Sequence, residues 1–135
     1  MLIRGRGIAK GRGEGPLLVS PDPLSFLSGV DPASGIIVEK GHPLQGEGLA
    51  GKVLAFPYGK GSTVGSYVLY ALSRNGHAPA AIVNTEAESI IATGAIIGKI
   101  PMIDHIGIPL KRLRNGVHVI VDGDAGEMTY DGELL

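Results

Sequence analysis

The segment Gly61-Ser-Thr63 contains the residue types best suited to chemistry. It separates an apolar run at Lys52–Phe56 from an amphipathic run at Val64–Arg74, which predicts a strand-to-helix turn. The first N–H groups of a helix have no partner within the helix and carry partial positive charge. Such a turn can bind an anion or stabilise a serine alkoxide. The simplest alternative is that Ser62 only caps the helix.

Three chemistries can be considered for this turn. Lys60 precedes the glycine of the turn instead of following the last glycine of a Gly-x-x-x-x-Gly-Lys-Ser/Thr motif, which excludes a nucleotide-hydrolase loop. A nucleophilic triad would need His and Asp or Glu around Ser62, and the local string is not Gly-x-Ser-x-Gly. Proton abstraction from carbon by Ser62 requires a helix start, N–H donors and a cation from elsewhere, because free serine is too weakly acidic. The sequence contains the first two and no visible source of the third.

Metal chemistry finds little support in the sequence. The four histidines are widely spaced, which disfavours zinc, and they are His42, His77, His105 and His118. His42 lies in a Gly/Pro loop where a binding role is open. Asp104 and His105, at the end of a predicted strand, could form an orienting pair, although neighbours on a strand point to opposite faces and one adjacent pair is weak evidence. Cysteine is absent, so the chain has no disulfide, thiol nucleophile or Cys-ligated cluster. We predict no metal site.

Composition predicts one soluble domain over residues 1–135. Hydrophobic residues make up 44% of the chain, enough for a packed core. The net charge of −1 disfavours nucleic-acid binding. Apolar runs fall short of the roughly 20 residues that cross a bilayer, and the N-terminal residues lack a signal-peptide core. We therefore expect a cytoplasmic protein without membrane or nucleic-acid partners.

The order of the apolar runs predicts a mixed α/β fold. Helices are predicted at Val64–Arg74 and Glu86–Ile97, with a short helical turn at Leu24–Leu27. Strands are predicted at Leu2–Ala9, Ile36–Glu39, Lys52–Phe56, Ala80–Val83, Pro101–His105, Val117–Val121 and Glu127–Tyr130. The alternating centre favours a partly parallel sheet with flanking helices and additional β-strands.

One further pattern lies at the start of the chain. Four basic residues at even positions would share one face of a first strand, and they are Arg4, Arg6, Lys10 and Arg12. They form either a solvated face or a patch for an anionic partner.

Several strings give the chain a family resemblance. They are Asp22-Pro-Leu-Ser-Phe26, Gly41-His-Pro43, Gly51-Lys-Val-Leu54, Gly61-Ser-Thr-Val-Gly-Ser-Tyr-Val-Leu69 and Ala78-Pro-Ala80. With them, and with a Gly-Ser-Thr turn at a helix start, the chain resembles the swivelling domain of the aconitase superfamily. It is most similar to the small subunit of the aconitase X group. The resemblance implies a compact swivelling β/β/α domain that spans nearly the whole chain.

The resemblance also implies a function. It implies a subunit of a heteromeric hydro-lyase that dehydrates (R)-5-phosphomevalonate to trans-anhydromevalonate 5-phosphate in isoprenoid biosynthesis. Ser62 would accept the proton next to the substrate carboxylate, and Gly61, Thr63 and Lys60 would bind the substrate. A large, Cys-containing subunit would hold a [4Fe-4S] cluster whose iron acts on the departing hydroxyl. It would dock on an exposed apolar patch around residues 57–66.

Two alternatives remain beside this function. Aconitases carry an arginine two residues after the serine, and Val64 stands there in this chain, which argues against citrate or isocitrate. Relatives of the same group dehydrate hydroxyprolines, so a hydroxyproline-type dehydratase subunit is one alternative. A non-catalytic module that binds phosphate or carboxylate at the Gly61–Thr63 turn is the other. A phosphohistidine swivelling domain fits less well, because no histidine occupies the turn.

Overall fold

A computed structural model describes residues 1–135. It contains eight β-strands, three α-helices and a short 3-10 turn at Leu110–Arg112. The strands are β1 Leu2–Arg4, β2 Arg6–Ala9, β3 Arg12–Val19, β4 Val53–Phe56, β5 Ala81–Asn84, β6 Met102–Asp104, β7 His118–Asp122 and β8 Glu127–Tyr130. The helices are α1 Phe26–Gly29, α2 Gly65–Arg74 and α3 Ser89–Ile97. None of them has both the length and the apolar character that a membrane crossing requires.

The eight strands form one mixed sheet in the order β1-β8-β7-β3-β4-β5-β6-β2. Neighbours within β3-β4-β5-β6 run parallel, and all other pairs are antiparallel. Parallel neighbours need crossover connections, and α2 and α3 supply those between β4, β5 and β6. The predicted mixed α/β class with a partly parallel sheet is thereby confirmed.

The prediction of a single strand at Leu2–Ala9 is wrong, because the strand is interrupted at Gly5 and divided into β1 and β2. The two halves, β1 and β2, lie at opposite ends of the strand order, so the sheet curls until its ends meet. The Gly5 N–H donates to the Gly126 carbonyl at 2.7 Å. A Cβ at Gly7 would overlap the carbonyl oxygen of Gly123, so glycine is required for this close approach.

The break also separates the basic residues of the first strand. Arg4 lies 3.9 Å from Glu127 on β8, whereas Arg6 contacts Asp104 on β6. The two arginines therefore do not belong to one continuous basic face.

Each face of the sheet covers its own core. One cluster of 18 buried residues packs between the sheet and the helices and includes Leu54, Leu69 and Ile82. The other, of 14 residues, fills the inside of the curl and includes Val53 and Val83. All residues of β4 and β5 are buried, as expected for parallel strands covered on both faces.

The connection between α1 and β4 is irregular. The predicted strand at Ile36–Glu39 forms only isolated bridges, between Ile36 and Gly48 and between Ile37 and Val30. The loop is fastened by His42, which is buried. Its Nδ1 accepts from the Leu44 N–H at 3.0 Å, and its Nε2 lies 3.1 Å from the Pro23 carbonyl oxygen. These contacts within the chain explain His42 without a ligand.

Candidate functional site

The Gly61–Thr63 turn lies at the carboxyl edge of the parallel strands, on the connection from β4 to α2. The Pro57 carbonyl accepts from the N–H groups of Thr85 and Glu86, at 3.0 and 3.3 Å. The Lys60 N–H donates to the Leu24 carbonyl at 3.1 Å. The turn is thus tied to the segments that follow β3 and β5. In α/β folds, both open sheets and closed barrels, ligands bind at the carboxyl ends of the parallel strands.

Glycine is required at two positions of this connection. Gly61 has φ +95°, and a Cβ there would lie 2.8 Å from Ser25 Oγ. A Cβ at Gly59 would overlap the side chain of Ile91 on α3. The two glycines let the backbone approach α1 and α3 closely just before the serine.

Ser62 begins the helical turn that leads into α2. Its Oγ accepts from the Val64 N–H at 3.1 Å, and its carbonyl accepts from the Gly65 N–H at 3.0 Å. The side chain is half-buried. The N–H groups of Gly61, Ser62 and Thr63 make no hydrogen bond within the chain. A hydroxyl therefore stands beside three consecutive free donors at the positive end of a helix, an arrangement that stabilises negative charge.

Lys60 is held beside the turn by an acidic residue that the sequence did not single out. Its Nζ lies 3.0 Å from Glu39 Oε2, and Glu39 Oε1 accepts from the Ser25 N–H at 3.4 Å. Burial opposes ionisation of Glu39, but the hydrogen bonds from Lys60 and Ser25 and the Lys60 charge outweigh it, so the pKa of Glu39 is lowered. An ammonium has three donors, so Lys60 retains capacity for a substrate anion.

Two clefts flank the serine. The first, which we call the Lys60 cleft, has a volume of about 470 Å³, with Lys60 and Gly61 on one side and Glu86–Glu88 on the other. The second, of about 260 Å³, is lined by Thr63 together with polar residues at the starts of α2 and α3. The structure thus brings the predicted site residues Lys60, Gly61, Ser62 and Thr63 together at one turn. Lys60 and Gly61 line the first cleft and Thr63 lines the second, whereas Ser62 lines neither.

An exposed apolar surface adjoins the turn. It consists of Tyr58, Val64, Tyr67 and Tyr70, and we call it the tyrosine face. Tyr58 is 50% exposed and Tyr67 is 71% exposed. Val64, Tyr67 and Tyr70 recur at a spacing of three, which places them on one side of α2. Large aromatic side chains left in solvent beside a candidate site are typical of a protein interface.

The chain's own donor set does not suit a metal cluster. No three His, Cys, Asp or Glu side chains converge in the structure, and the sequence has no cysteine. Iron–sulfur clusters are held mainly by cysteine thiolates.

The curled mixed sheet and its Gly-Ser-Thr turn belong to a known class of domain. The family model described as aconitase X swivel domain matches residues 2–130, and the chain belongs to that family. A protein of Thermococcus kodakarensis named phosphomevalonate dehydratase small subunit is 53% identical over 135 residues, covering 98% of this chain and 100% of the relative. A protein of the same name from Pyrococcus furiosus is 56% identical over 128 residues, covering 95% and 94%.

A solved structure agrees with the fold as well. The crystal structure of Thermococcus kodakaraensis aconitase X in its holo form superposes with a TM-score of 0.90 at 51% identity, covering 100% of this chain and 98% of that one. The predicted relationship to the aconitase X swivel domain is therefore confirmed.

Proposed function

We propose that this chain is the small subunit of a heteromeric hydro-lyase that dehydrates (R)-5-phosphomevalonate to trans-anhydromevalonate 5-phosphate. The observation that carries the proposal is the Ser62 hydroxyl beside the free N–H groups of Gly61–Thr63. The chain that presents it is more than half identical, over nearly its full length, to proteins named as that subunit.

Ser62 is the proton acceptor in this proposal. Its oxygen takes the proton from the carbon next to the substrate carboxylate. The electron pair of that C–H bond forms the carbon–carbon double bond, and the bond to the hydroxyl on the neighbouring carbon breaks, so that the hydroxyl leaves as hydroxide. Return of the proton from Ser62 to hydroxide, through solvent, completes the loss of one water and regenerates the base. The Val64 N–H and the dipole of α2 stabilise the serine oxygen when it carries negative charge.

The neighbours of Ser62 bind the substrate. The free N–H groups of Gly61 and Thr63 donate to an anionic oxygen, and Lys60 supplies a positive charge from the adjoining cleft. Lys60 takes over the electrostatic part of the role that an arginine plays at the Val64 position in aconitases. Its ion pair with Glu39 restricts the ammonium to the side of the turn.

The cluster and the second wall of the site belong to the large subunit in this proposal. The aconitase superfamily implies a [4Fe-4S] cluster that acts as a Lewis acid on the departing hydroxyl, and the donor set of this chain does not fit one. The cysteines would therefore come from the partner. The tyrosine face provides the docking surface, because it is apolar, exposed and next to the turn.

The test is anaerobic assembly followed by assay. The chain is co-expressed with its large subunit, purified as a complex, loaded with iron and sulfide, and given (R)-5-phosphomevalonate. Mass spectrometry should detect a product that has lost one water, and the chain alone should form none. A complex that dehydrates only hydroxyprolines would establish the family alternative. A complex that binds phosphomevalonate without converting it would establish the binding module.

A further inference from the structure

A second polar cluster lies at the carboxyl edge, two strands away from β4. Asp104 ends β6 and is fully buried. Its Oδ1 accepts from Arg6 Nε at 2.9 Å, and its Oδ2 accepts from Arg6 Nη2 at 2.7 Å and from the Ala87 N–H at 2.8 Å. Burial opposes ionisation of Asp104, but these donors outweigh it, so its pKa is lowered. The carboxylate therefore holds one edge of the Arg6 guanidinium in a fixed orientation.

His105 follows with an unusual backbone conformation. Its φ is +53°, a left-handed value that is uncommon for a residue other than glycine. The His105 N–H donates to the Thr85 carbonyl at 3.2 Å, which holds this turn in place. In a regular strand Asp104 and His105 would point to opposite faces, but β6 ends at Asp104. The left-handed turn brings His105 Nε2 to 3.7 Å from Asp104 Oδ2.

The imidazole and the guanidinium both keep free donors. Neither ring nitrogen of His105 is hydrogen-bonded, and 49% of the side chain is exposed. Arg6 Nη1 makes no hydrogen bond, and the side chain is 55% exposed. His105 lines a cavity of about 400 Å³ whose other walls are Thr85 and the segment 106–109. Strained backbone beside a cavity often marks a ligand site.

The cavity adjoins the Lys60 cleft. Thr85 lines the cavity, and the next residue, Glu86, lines the Lys60 cleft. The strand ends that carry the two sites, β4 and β6, are separated by β5 alone, a distance of about 10 Å at the usual strand spacing. An extended five-carbon acid with a terminal phosphate spans a comparable distance.

We propose that His105, on the wall of this cavity, and the free edge of Arg6, which lies outside the cavity wall but contacts the same Asp104 Oδ2, bind the phosphate group of the substrate while the Ser62 turn acts at its carboxylate end. This inference rests on the proposed function. A guanidinium held by a carboxylate presents its remaining N–H groups in the planar arrangement that phosphate oxygens accept, and an imidazole N–H adds a further donor. Asp104 is a positioning residue, since it acts by holding Arg6.

The test compares variants that keep the left-handed backbone. His105→Gly removes the imidazole and tolerates the positive φ, and His105→Asn tolerates it while retaining an N–H donor. Lys99→Gly is the matched control, because Lys99 is the other non-glycine residue with a positive φ, at +56°, and it lies beyond the opposite end of α3. All are assayed as the complex with the large subunit.

Loss of a charge-assisted hydrogen bond predicts that His105→Gly raises the KM for 5-phosphomevalonate about tenfold or more. The inhibition constant of inorganic phosphate should rise by a similar factor, whereas kcat and the inhibition constant of mevalonate, which has no phosphate, should stay within about threefold of the unmodified complex. His105→Asn should retain most of the affinity, and Lys99→Gly should match the unmodified complex. An unchanged KM and unchanged phosphate inhibition in His105→Gly would overturn the inference and leave the proposed function intact.

A second measurement does not depend on turnover. Inorganic phosphate added to the full chain should shift the imidazole NMR signals of His105, whereas those of His118 should move less and acetate should have little effect. If the complex does not dehydrate phosphomevalonate, the proposed function fails, and these signals then decide whether the phosphate site exists. Imidazole signals of His105 that do not respond to phosphate in that case would overturn the inference as well.

Discussion

The Val64 backbone N–H donates to Ser62 Oγ at 3.1 Å, so the hydroxyl proposed as the proton acceptor also closes the turn that leads into α2. Turn closure and proton transfer use the same oxygen, and the two roles differ in what their loss would change. Loss of the turn's hydrogen bond costs stability, whereas loss of a base costs turnover. A single substitution therefore separates the two roles.

Ser62→Ala should lower kcat of the complex by at least about 10²–10⁴-fold, the usual contribution of a positioned base. The free energy of unfolding should fall by only about 0.5–2 kcal/mol, because one hydroxyl-to-backbone hydrogen bond of the turn before α2 is lost. Urea denaturation and an anaerobic dehydration assay measure the two effects. Ser73→Ala is the control, since Ser73 Oγ donates to the Gly98 carbonyl at 2.6 Å near the other end of α2 and lines neither cleft. Equal kcat in Ser62→Ala and Ser73→Ala would remove Ser62 from the mechanism.

Gly61→Ala should damage the site as well as the fold. The left-handed φ alone costs an alanine about 1–2 kcal/mol, and the new Cβ would also lie 2.8 Å from Ser25 Oγ. Gly46→Ala is matched in backbone, with φ +91° against +95°, and has nothing within 4 Å of its Cβ. Both variants should lose stability in urea denaturation, and Gly61→Ala alone should lose turnover. A Gly61→Ala complex with unchanged kcat would show that the shape of this turn does not matter for catalysis.

Lys60→Met should weaken substrate binding. The variant removes the positive charge of the Lys60 cleft while keeping much of the apolar stem, so we expect the KM to rise about tenfold with a smaller change in kcat. Lys52→Met removes the same kind of charge from a pair with Glu47, at 3.4 Å, on a different loop and should leave both constants unchanged. Steady-state kinetics of the two complexes provide the comparison. A KM that responds equally to both substitutions would point to overall charge instead of a specific contact.

The central elements could be predicted because their signals are local. Residues 53–56 form a continuous apolar run and α2 has an apolar stripe, so the predicted bounds of both agree with the structure to within about a residue. The break at Gly5 could not be predicted, because it results from the close approach of Gly7 to Gly123, which lies more than a hundred residues away. An alternating pattern of side chains fits one strand and two equally well.

The residues of the candidate site also fall into two groups, those that the sequence could indicate and those that only the fold brings together. Lys60, Ser62 and their neighbours are consecutive, so a motif could indicate them. Glu39 lies 21 residues before Lys60 in an irregular loop, and only the fold pairs the two. The proximity of Asp104 and His105 depends on the positive φ of His105, and a histidine at this position does not by itself predict that backbone conformation.

Tyr67→Asp should weaken the complex without unfolding the chain. Tyr67 is the most exposed member of the tyrosine face, so a charge there costs little in the free subunit and is desolvated on docking. Central aromatic residues of interfaces commonly contribute 2 kcal/mol or more, so the dissociation constant should rise about thirtyfold or more. Leu2→Asp, on the exposed edge strand β1, is the control and should leave the dissociation constant unchanged. Titration calorimetry with the large subunit measures it, and equal affinity for both variants would place the interface elsewhere.

Asp104→Asn should destabilise the chain at neutral pH and much less in acid. The pKa of Asp104 is lowered in the folded state, mainly by Arg6, so its contribution is complete above the ordinary value of about 4 and is lost as the pH falls through the lower folded value. Weakening the hydrogen bonds to a charged group should cost about 1.5–3 kcal/mol at pH 7. Urea denaturation of both proteins at pH 7 and below pH 3 should show the difference shrinking. Glu47→Gln, at an exposed pair, should have little effect at either pH. A deficit in Asp104→Asn that persists unchanged in acid would mean that packing, and not the ionised carboxylate, holds Arg6 against β6.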